Sequence, residues 1–215
     1  MFTGIIEEKG TITEIKKQNQ GMKLSIKGVK VLEDVSLGDS IAVNGVCLTV
    51  TGFNDQEFSV DVMPETFQGT TLSQLRTSTP VNLERAMSPL SRFGGHMVSG
   101  HIDGKGTVVR RKQVDNAVYF DIQAPKRILK YIVQKGSVAV DGTSLTVFGL
   151  KDSHFTISII PHTLDETIMG TLAIGDEVNI ECDLIGKYVE RLVTVSDESA
   201  PKHNLAELLQ QNGYM

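Results

Sequence analysis

Apolar and polar residues alternate along several short stretches of the chain, which is the pattern of β-strands with one buried face. The alternation is regular at residues 23–27, 57–62 and 117–122. Short strands that recur closely along a chain, with turn-forming residues between them, are typical of small barrels. The pattern therefore predicts all-β units that are closed or nearly closed.

Turn-forming residues mark where these strands end. Asn44-Gly45 and Asp141-Gly142 lie between β-branched runs, and such pairs are the strongest short-range signal for a hairpin. Pro64 and Pro161 are predicted to end the strands before them, because proline has no N–H to donate to a ladder. The segment 86–95 contains a Ser-Pro and a Gly-Gly pair and is predicted to be a linker.

Helical spacing is present in the second half at Ile128, Leu129, Ile132 and Val133, which fall on one face of a helix. This spacing predicts a short helix over 126–133. The matching segment in the first half, 29–35, is predicted to be helical as well.

The last part of the chain is also predicted to be helical and has no counterpart in the first half. Apolar residues follow helical spacing from 185 to 193, and Asn204 is a candidate cap for a last helix over 205–211. An amphipathic helix outside both barrels needs a partner surface, so the tail is predicted to be an oligomerisation element. The alternative is that it folds back onto the barrels of its own chain.

Four blocks of sequence occur twice in the same order. Six of twelve residues are identical between 1–12 and 97–108, and seven of eleven between 40–50 and 137–147, with the offset changing once from 96 to 97. The other two pairs of blocks are 58–66 with 155–163 and 81–84 with 178–181. Two copies are too few for a solenoid, so the blocks predict a tandem pair of domains. Simple enlargement, with two modules on one chain, is the alternative to a shared function.

Composition and charge narrow the class of protein. The chain has 215 residues, 40% hydrophobic and 22% charged, and a net charge of -5. A negative chain is a poor partner for a phosphate backbone, and no apolar run reaches the length of a membrane span. The first residues lack the basic region of a signal peptide, so the cytosol is the expected compartment. The spacing of two cysteines and five histidines predicts neither a disulfide framework nor a metal site.

The two copies differ most in chemistry where their backbone patterns agree best, which indicates two pockets of similar shape and unequal reactivity. The differing pairs are Ile5 with His101, Cys47 with Ser144, Glu65 with His162, Asn44 with Asp141, and Gly38 with Lys135.

Each of these residues also has a structural interpretation. Cys47 could be a small apolar residue of a strand, His101 an exposed loop residue, and Lys135 a solvated turn residue. Thr49 and Thr146, which agree between the copies, could be present as good β-formers.

The blocks nevertheless resemble the riboflavin synthase family of the alpha-chain type, in which lumazine-binding barrels are duplicated. The resemblance runs from residue 1 to roughly 190 and is weak only in the tail. Its motifs are MFTGIIE at the start, NGVCLTV at 44–50, GGHMVSGHIDG at 94–104, KGSVAVDGTSLTV at 135–147 and IPHTL at 160–164.

The resemblance implies a fold and a domain division. The fold class is all-β with small helices, built as two tandem homologous six-stranded Greek-key barrels and a C-terminal α-helix. The expected domains are residues 1–96, 97–186 and 187–215, of which the last is the helical oligomerisation segment.

The resemblance also implies a reaction, the last step of riboflavin biosynthesis. Two molecules of 6,7-dimethyl-8-ribityllumazine dismutate by transfer of a four-carbon unit, giving riboflavin and 5-amino-6-ribitylamino-pyrimidinedione. No metal and no redox cofactor is expected. The alternative is a non-catalytic lumazine- or flavin-binding protein of the lumazine-protein type, which keeps the barrels and loses reactive groups in one half. A plain structural pair of barrels would leave the paired polar residues unexplained.

The family's pteridine-binding segments match positions in both copies. The first-copy residues are Gly4, Ile5, Ile6, Cys47, Leu48, Thr49, Asp61, Val62, Met63, Pro64, Glu65 and Thr66. The second-copy residues are Gly100, His101, Ile102, Lys135, Ser144, Leu145, Thr146, Ile160, Pro161, His162, Thr163, Leu164 and Asp165.

Roles in the reaction are expected for a smaller set. His101 is the expected proton carrier, and Cys47 is the expected nucleophile or polar orienting group. The supporting hydrogen-bond set is expected to be Ser40, Ser144, Thr146 and Asp183. Asp141 and Lys135 are expected to tune the charge around the second pocket.

The resemblance implies an assembly as well. The active site is expected between the first barrel of one subunit and the second barrel of another in a homotrimer. A surrounding shell of lumazine synthase is a further candidate partner. Neither nucleic acid nor a membrane is expected to bind.

Overall fold

Twelve antiparallel strands dominate the computed structural model, which describes residues 1–18 and 21–199. They close into two barrels of six strands each. The predicted fold class is therefore confirmed as two tandem barrels, mostly β with small helices. Across the described ranges, no helix is long and apolar enough to cross a membrane.

The first barrel has the strand order β1-β2-β5-β4-β3-β6 around its wall. Its strands are β1 (Glu8–Gln18), β2 (Gly21–Lys27), β3 (Ser40–Val43), β4 (Val46–Phe53), β5 (Glu57–Val62) and β6 (Pro80–Arg85).

The second barrel repeats this order with six added to each strand number, β7-β8-β11-β10-β9-β12. Its strands are β7 (Gly104–Val114), β8 (Ala117–Gln123), β9 (Ser137–Val140), β10 (Thr143–Leu150), β11 (His154–Ile159) and β12 (Glu177–Cys182).

Irregularities in the strands recur at matching places. The register of β1 shifts between Ile12 and Glu14, and that of β7 shifts between Val108 and Arg110. β4 and β10 each carry a corresponding shift just past their midpoints. Bulges bend a strand and increase its twist, which helps a small sheet to close. The two copies therefore share the bulges that help each barrel to close, as well as part of their sequence.

The inward side chains of each barrel form a separate apolar core. Phe58 and Leu24 are fully buried in the first barrel, and Phe155 and Phe120 are fully buried in the second. Leu24, Phe58 and Phe120 come from the alternating stretches, so the alternation indicates the buried face of those strands correctly.

Two helices follow strands that the sequence correctly predicts to end at proline. These are α1 (Pro64–Gly69) and α3 (Pro161–Glu166), each with proline in the first helical turn. Proline at that position loses no helical hydrogen bond and has a suitable φ. Each helix runs into a 3-10 turn, Thr71–Gln74 or Ile168–Thr171.

The helix predicted over 126–133 is present but shorter, as α2 (Lys126–Leu129). In the first copy the matching segment forms only a 3-10 turn, Lys30–Leu32. The change of offset from 96 to 97 falls in this stretch, since β2 matches β8 at 96 and β3 matches β9 at 97. The extra residue of the second copy is thus accommodated where the longer helical turn forms.

The tail forms α4 (Leu184–Ser199), as predicted from the spacing of its apolar residues. The side chains of Ile185, Tyr188, Val189, Leu192 and Val193 are exposed. Asn204 and the predicted helix over 205–211 lie outside the described residues.

The predicted hairpin turns meet each other where the two barrels join. Asn44, Gly45, Asp141 and Gly142 all have positive φ, as two-residue hairpin loops require. A Cβ on Gly45 would lie 2.6 Å from the backbone nitrogen of Gly142, and one on Gly142 would lie 2.8 Å from that of Gly45. Only glycine permits this approach of the two turns.

Two fully buried asparagines fasten the barrels together. Asn82 Nδ2 donates to the Asp141 carbonyl oxygen over 2.9 Å, and Asn179 Nδ2 donates to the Asn44 carbonyl oxygen over the same distance. Asn82 and Asn179 occupy matching positions, so the contacts are reciprocal. The two barrels are therefore related by an approximate two-fold axis.

The segments before each first strand also pair across this axis. Phe2 and Val98, which are matching residues, exchange backbone hydrogen bonds of 2.7 and 3.2 Å. Their side chains form a small apolar cluster with Ala42 and Ala139. This pairing positions the glycine loops that come next in the chain.

Candidate functional site

A buried glutamate holds each glycine loop. Glu84 accepts hydrogen bonds from the backbone N–H groups of Thr3, at 2.7 Å, and of Gly4, at 3.0 Å. Burial raises the pKa of Glu84, and these hydrogen bonds to the ionised form counteract part of the rise. The matching Glu181 accepts in the same way from Ser99 and Gly100, at 2.6 and 2.9 Å.

Each glycine loop contacts the barrel of the other copy. Ser144 in β10 donates its backbone N–H to the Gly4 carbonyl oxygen over 2.7 Å, and Cys47 in β4 donates to the Gly100 carbonyl oxygen over 2.9 Å. The glycine loop of each copy thus lies beside a strand of the other copy. We call residues 4–6 with 144–146 the Ser144 site, and residues 100–102 with 47–49 the Cys47 site.

Close packing makes glycine necessary at both crossings. Gly4 has φ +77° and Gly100 has φ +82°. A Cβ on Gly4 would lie 2.6 Å from the Ser144 Cβ, and one on Gly100 would lie 2.5 Å from the Cys47 Cβ. Backbone conformation and contact distance both exclude larger residues.

The polar side chains of the two sites lie on the outward faces of β4 and β10. Cys47 is half-buried and Thr49 is exposed on β4, while Ser144 is half-buried and Thr146 is exposed on β10. The intervening Leu48 and Leu145 point into the cores and are only 5% and 9% exposed. Those two leucines can therefore offer a ligand only their backbone groups.

The tips of the loops carry one pair of unlike residues. Ile5 and His101 occupy matching positions, and both are exposed. The backbone N–H of His101 donates to Ser99 Oγ over 3.2 Å. Ile102, one residue further on, packs against the core of the first barrel. The His101 loop thus belongs spatially to the Cys47 site.

The segments around α1 and α3 supply further exposed groups. Met63 and Ile160 precede the two helices in extended conformation and expose their side chains. Asp61, Glu65, Pro161, His162 and Asp165 are exposed as well, whereas Val62 is buried. Thr66, Thr163, Pro64 and Leu164 are half-buried. Lys9 Nζ donates to the Asp165 carbonyl oxygen, which brings α3 beside the start of the first barrel.

Ser40 lies at the start of β3, paired with Thr49. It is half-buried, and its carbonyl oxygen accepts from Ala86 N over 3.0 Å. It borders a cavity of about 580 Å³ that Ile5, Ile6 and residues of the linker also line.

Charged groups hold one wall of this cavity. Arg85 donates to both carboxylate oxygens of Glu7 and to Asp34. Burial would raise the pKa of Glu7, but the hydrogen bonds and positive charge of Arg85 outweigh it and lower that pKa. The pair is therefore ionised and fixes the wall.

The sequence reasoning missed His96. Its Nδ1 lies 2.7 Å from Ser144 Oγ, and its backbone N–H donates to the Thr3 carbonyl oxygen over 3.1 Å. Its Nε2 is buried without a hydrogen-bond partner among the described residues. Burial lowers the pKa of His96, while the negative charges of Asp183 and Glu181 act in the opposite direction. A neutral imidazole is thus hydrogen-bonded to a serine hydroxyl, and in the tautomer that leaves Nδ1 unprotonated it can act as a base towards that hydroxyl.

Three more predicted residues lie near the His96–Ser144 pair, at the contact between the two barrels (the seam), or beside β10. Asp183 is half-buried just before α4, and its charge acts on His96. Asp141 is buried at the seam between the barrels, where Oδ1 accepts from Asn179 N over 2.9 Å. Lys135 is exposed, and its backbone N–H donates to the Val147 carbonyl oxygen over 2.9 Å, beside the outward face of β10.

Comparison with known proteins identifies the same duplicated unit. The lumazine binding domain family model matches residues 3–86 and 99–183. The riboflavin synthase of Bacillus amyloliquefaciens is 53% identical over 215 residues, covering 100% of both chains. That of Actinobacillus pleuropneumoniae is 49% identical over the same length and coverage. A crystal structure of LumP complexed with riboflavin aligns with a TM-score of 0.78 and 28% identity, covering 85% of this chain and 99% of that chain.

Proposed function

This chain belongs to the riboflavin synthase family, whose members carry lumazine binding domains, and we propose that it dismutates two molecules of 6,7-dimethyl-8-ribityllumazine. It is an enzyme of the transferase class. One lumazine gives a four-carbon unit to the other, and riboflavin and 5-amino-6-ribitylamino-pyrimidinedione are the two products. The observation that carries the proposal is that the Ser144 site and the Cys47 site have the same backbone arrangement but different side chains.

The backbone likeness suits a reaction between identical molecules. The Ser144 site and the Cys47 site each consist of a glycine loop hydrogen-bonded to a strand of the opposite copy. Each offers extended backbone to the polar edge of a pteridine ring and outward side chains to its face. Two such sites, facing each other, hold both reactants in a fixed orientation. That converts an encounter in solution into a unimolecular step, worth about 7–11 kcal/mol.

The unequal side chains suit the unequal roles of the two lumazines. One must lose a proton from its 7-methyl group, and the other must accept a nucleophile at ring carbon 7. The Cys47 site supplies a thiol and the exposed imidazole of His101. We assign the thiol to nucleophilic attack or to orienting the lumazine, and the imidazole to proton transfer. The Ser144 site supplies a hydroxyl in contact with the neutral imidazole of His96.

Supporting groups complete the two sites. Thr146 and Ser40 offer hydroxyls on exposed or half-buried strand positions, and Asp183 adds negative charge near His96. We propose that these three hold the ligand and the imidazole in position by hydrogen bonding and charge. Lys135 adds a positive charge at the edge of the Ser144 site.

We propose a homotrimer in which the Cys47 site of one chain faces the Ser144 site of another. Exposed apolar residues border both sites, among them Ile5, Met63, Met97 and Ile160. The apolar side chains of α4 between residues 185 and 193 are exposed too. Exposed apolar patches of this kind mark interaction surfaces, and we propose that α4 is the oligomerisation element. The assembly is proposed to work in the cytoplasm, with a lumazine synthase shell as a further candidate partner.

We also propose the domain division 1–96, 97–186 and 187–215. The last strand of the first barrel ends at Arg85, and the first strand of the second barrel begins at Gly104, on either side of the first boundary. The second boundary follows β12, within the first turn of α4.

The test is to incubate the chain with 6,7-dimethyl-8-ribityllumazine alone and follow absorbance and product composition. The proposal predicts one riboflavin for every two lumazines consumed, with no added cofactor. Tight binding of the lumazine without any product would instead support a non-catalytic lumazine-binding protein and overturn the proposal.

A further inference from the structure

Lys135 occupies a backbone conformation that a side chain disfavours. Its φ is +67°, and the matching residue of the first copy is Gly38, with φ +91°. Glycine adopts this region freely, whereas a residue with a Cβ does so at a cost. Such strain persists where the surrounding structure maintains it, and it is concentrated at functional sites. A lysine kept in this conformation therefore indicates that its side chain has a role at this turn.

An aromatic pair holds that side chain. Lys135 Nζ lies 5.0 Å from the centroid of the Phe148 ring, within the range of a cation–π contact. The Phe148 ring in turn meets Tyr119 edge to face, with centroids 5.1 Å apart and an interplanar angle of 82°. Tyr119 thus fixes the orientation of the ring on which the ammonium group rests.

Comparison of the two copies shows that the lysine on the turn and the two aromatic rings occur together in the second copy. Where the second copy has Lys135, Phe148 and Tyr119, the first copy has Gly38, Thr51 and Lys23. The first copy therefore has no side chain on the turn at Gly38 and neither of the two aromatic rings, and its lysine lies instead at the position of Tyr119. Strand register confirms the match, because Tyr119 pairs with Ser158 in β11 as Lys23 pairs with Asp61 in β5.

The contact lies directly beside the Ser144 site. Ser144, Thr146 and Phe148 alternate along β10 and face outward together. The backbone of Lys135 is hydrogen-bonded to Val147, between the last two of them. An ammonium group held over Phe148 is therefore held at the end of the face that the proposed function gives to the lumazine.

We infer that Phe148 is a positioning residue that acts through Lys135. It keeps the ammonium group at the edge of the Ser144 site, where its positive charge attracts the polar edge of the bound pteridine ring to the same extent before and after the 7-methyl proton is lost, so that it contributes to KM rather than to kcat. This inference rests on the proposed function and deepens it, because it names the residue that holds the Lys135 ammonium group beside the Ser144 site.

The test is a double-mutant cycle on the full chain with KM and kcat for lumazine conversion as readouts. Phe148→Leu should raise KM about two- to five-fold, the effect of losing an exposed cation–π contact, and leave kcat within about two-fold. Phe148→Trp should restore KM because it restores the aromatic face. In a Lys135→Met background, Phe148→Leu should cause no further change in KM.

Phe53→Leu is the matched control. Phe53 lies at the end of β4, is 46% exposed against 48% for Phe148, and loses the same ring in the same substitution. KM should not change in this variant. A Phe148→Leu variant with unchanged KM, or with the same rise in both backgrounds, would overturn the inference and leave the proposed function standing. A wild-type chain that forms no riboflavin would overturn both.

Discussion

Ser144 donates its backbone N–H to the carbonyl oxygen of Gly4 over 2.7 Å, although the two residues belong to different copies of the repeat. The reciprocal bond joins Cys47 to Gly100. Each candidate site is therefore composite, with its strand from one barrel and its loop from the other. A disturbance at the crossing should affect the site as well as the stability of the pair of barrels.

Replacing Gly4 by alanine tests this crossing. The new Cβ has an unfavourable φ and lies too close to Ser144, so Gly4→Ala should destabilise the chain by about 2–4 kcal/mol and abolish most activity. Gly38→Ala is the control, because Gly38 also has positive φ but open space around it. That variant should lose only about 1 kcal/mol. Equal losses of unfolding free energy in the two variants would mean that the contact with Ser144 is unimportant.

His96 should be required for turnover rather than for binding. His96→Asn removes the imidazole that contacts Ser144 Oγ, so kcat should fall by about 10²-fold or more while KM changes little. Steady-state kinetics across pH provide the check. An unaltered kcat would exclude His96 from the reaction.

The lowered pKa of His96 also sets a pH dependence. Burial pushes the folded-state pKa below its ordinary value of 6.5, so the folded protein binds fewer protons than the unfolded chain at acid pH. The contribution of His96 to stability is then complete above pH 6.5 and is lost as the pH falls through the folded pKa. Denaturation curves of His96→Asn should show a smaller loss over that range than the wild type.

Asp141 should weaken the contact between the two barrels as the pH rises from 3.8 to about 7. Burial raises its pKa from 3.8 to about 7, against a hydrogen bond from Asn179 that lowers it. A raised folded-state pKa means that the stability is complete below pH 3.8 and is lost as the pH rises through about 7. Asp141→Asn copies Asn44 of the other repeat and should gain up to about 4 kcal/mol at pH 8.

The reciprocal exchange is the control for Asp141. Asn44→Asp should introduce the same pH dependence into the first copy, since Asn44 is likewise buried and accepts from the backbone of Asn82 at 2.8 Å. Parallel stability curves for the wild type and Asp141→Asn between pH 4 and 8, which is roughly the titration range of the buried carboxyl, would contradict the assignment.

Lys135→Gly should separate stability from function. The change relieves an unfavourable φ but gives the unfolded chain more freedom, so the unfolding free energy should stay within about 1 kcal/mol of the wild type. KM for lumazine should rise, because the ammonium group is gone. Asp115→Gly is the control, since Asp115 also has positive φ, at 51°. It should leave both stability and KM nearly unchanged. An unchanged or lower KM for Lys135→Gly would contradict the proposed role.

The sequence predicts the two barrels well because the duplication and the period-two alternation agree with each other. The hairpins at Asn44-Gly45 and Asp141-Gly142 could be read from residues that tolerate positive φ. The helices α1 and α3 were missed, although Pro64 and Pro161 carry the signal: a proline that ends a strand also suits the first turn of a helix.

The composite sites could not be predicted, because matching blocks in one chain say nothing about which barrel each loop contacts. The pairing of Phe2 with Val98 across the two-fold axis determines that the Gly4 loop contacts the second barrel. His96 was missed for a related reason. Its partner Ser144 is distant in sequence, and nothing in the pattern around His96 indicates that the two side chains meet.

The most direct test of the account is complementation between two blocked chains. Thr49 and Thr146 are exposed at matching positions of the Cys47 and Ser144 sites, so Thr49→Trp and Thr146→Trp should each fill one site without disturbing a core. Each variant alone should be inactive. Co-expressed in equal amounts, they should recover about a quarter of wild-type riboflavin formation, because about one pairing in four joins two unblocked sites from different chains. No recovery in mixed assemblies of confirmed composition would contradict the claim that two chains present their lumazines to each other.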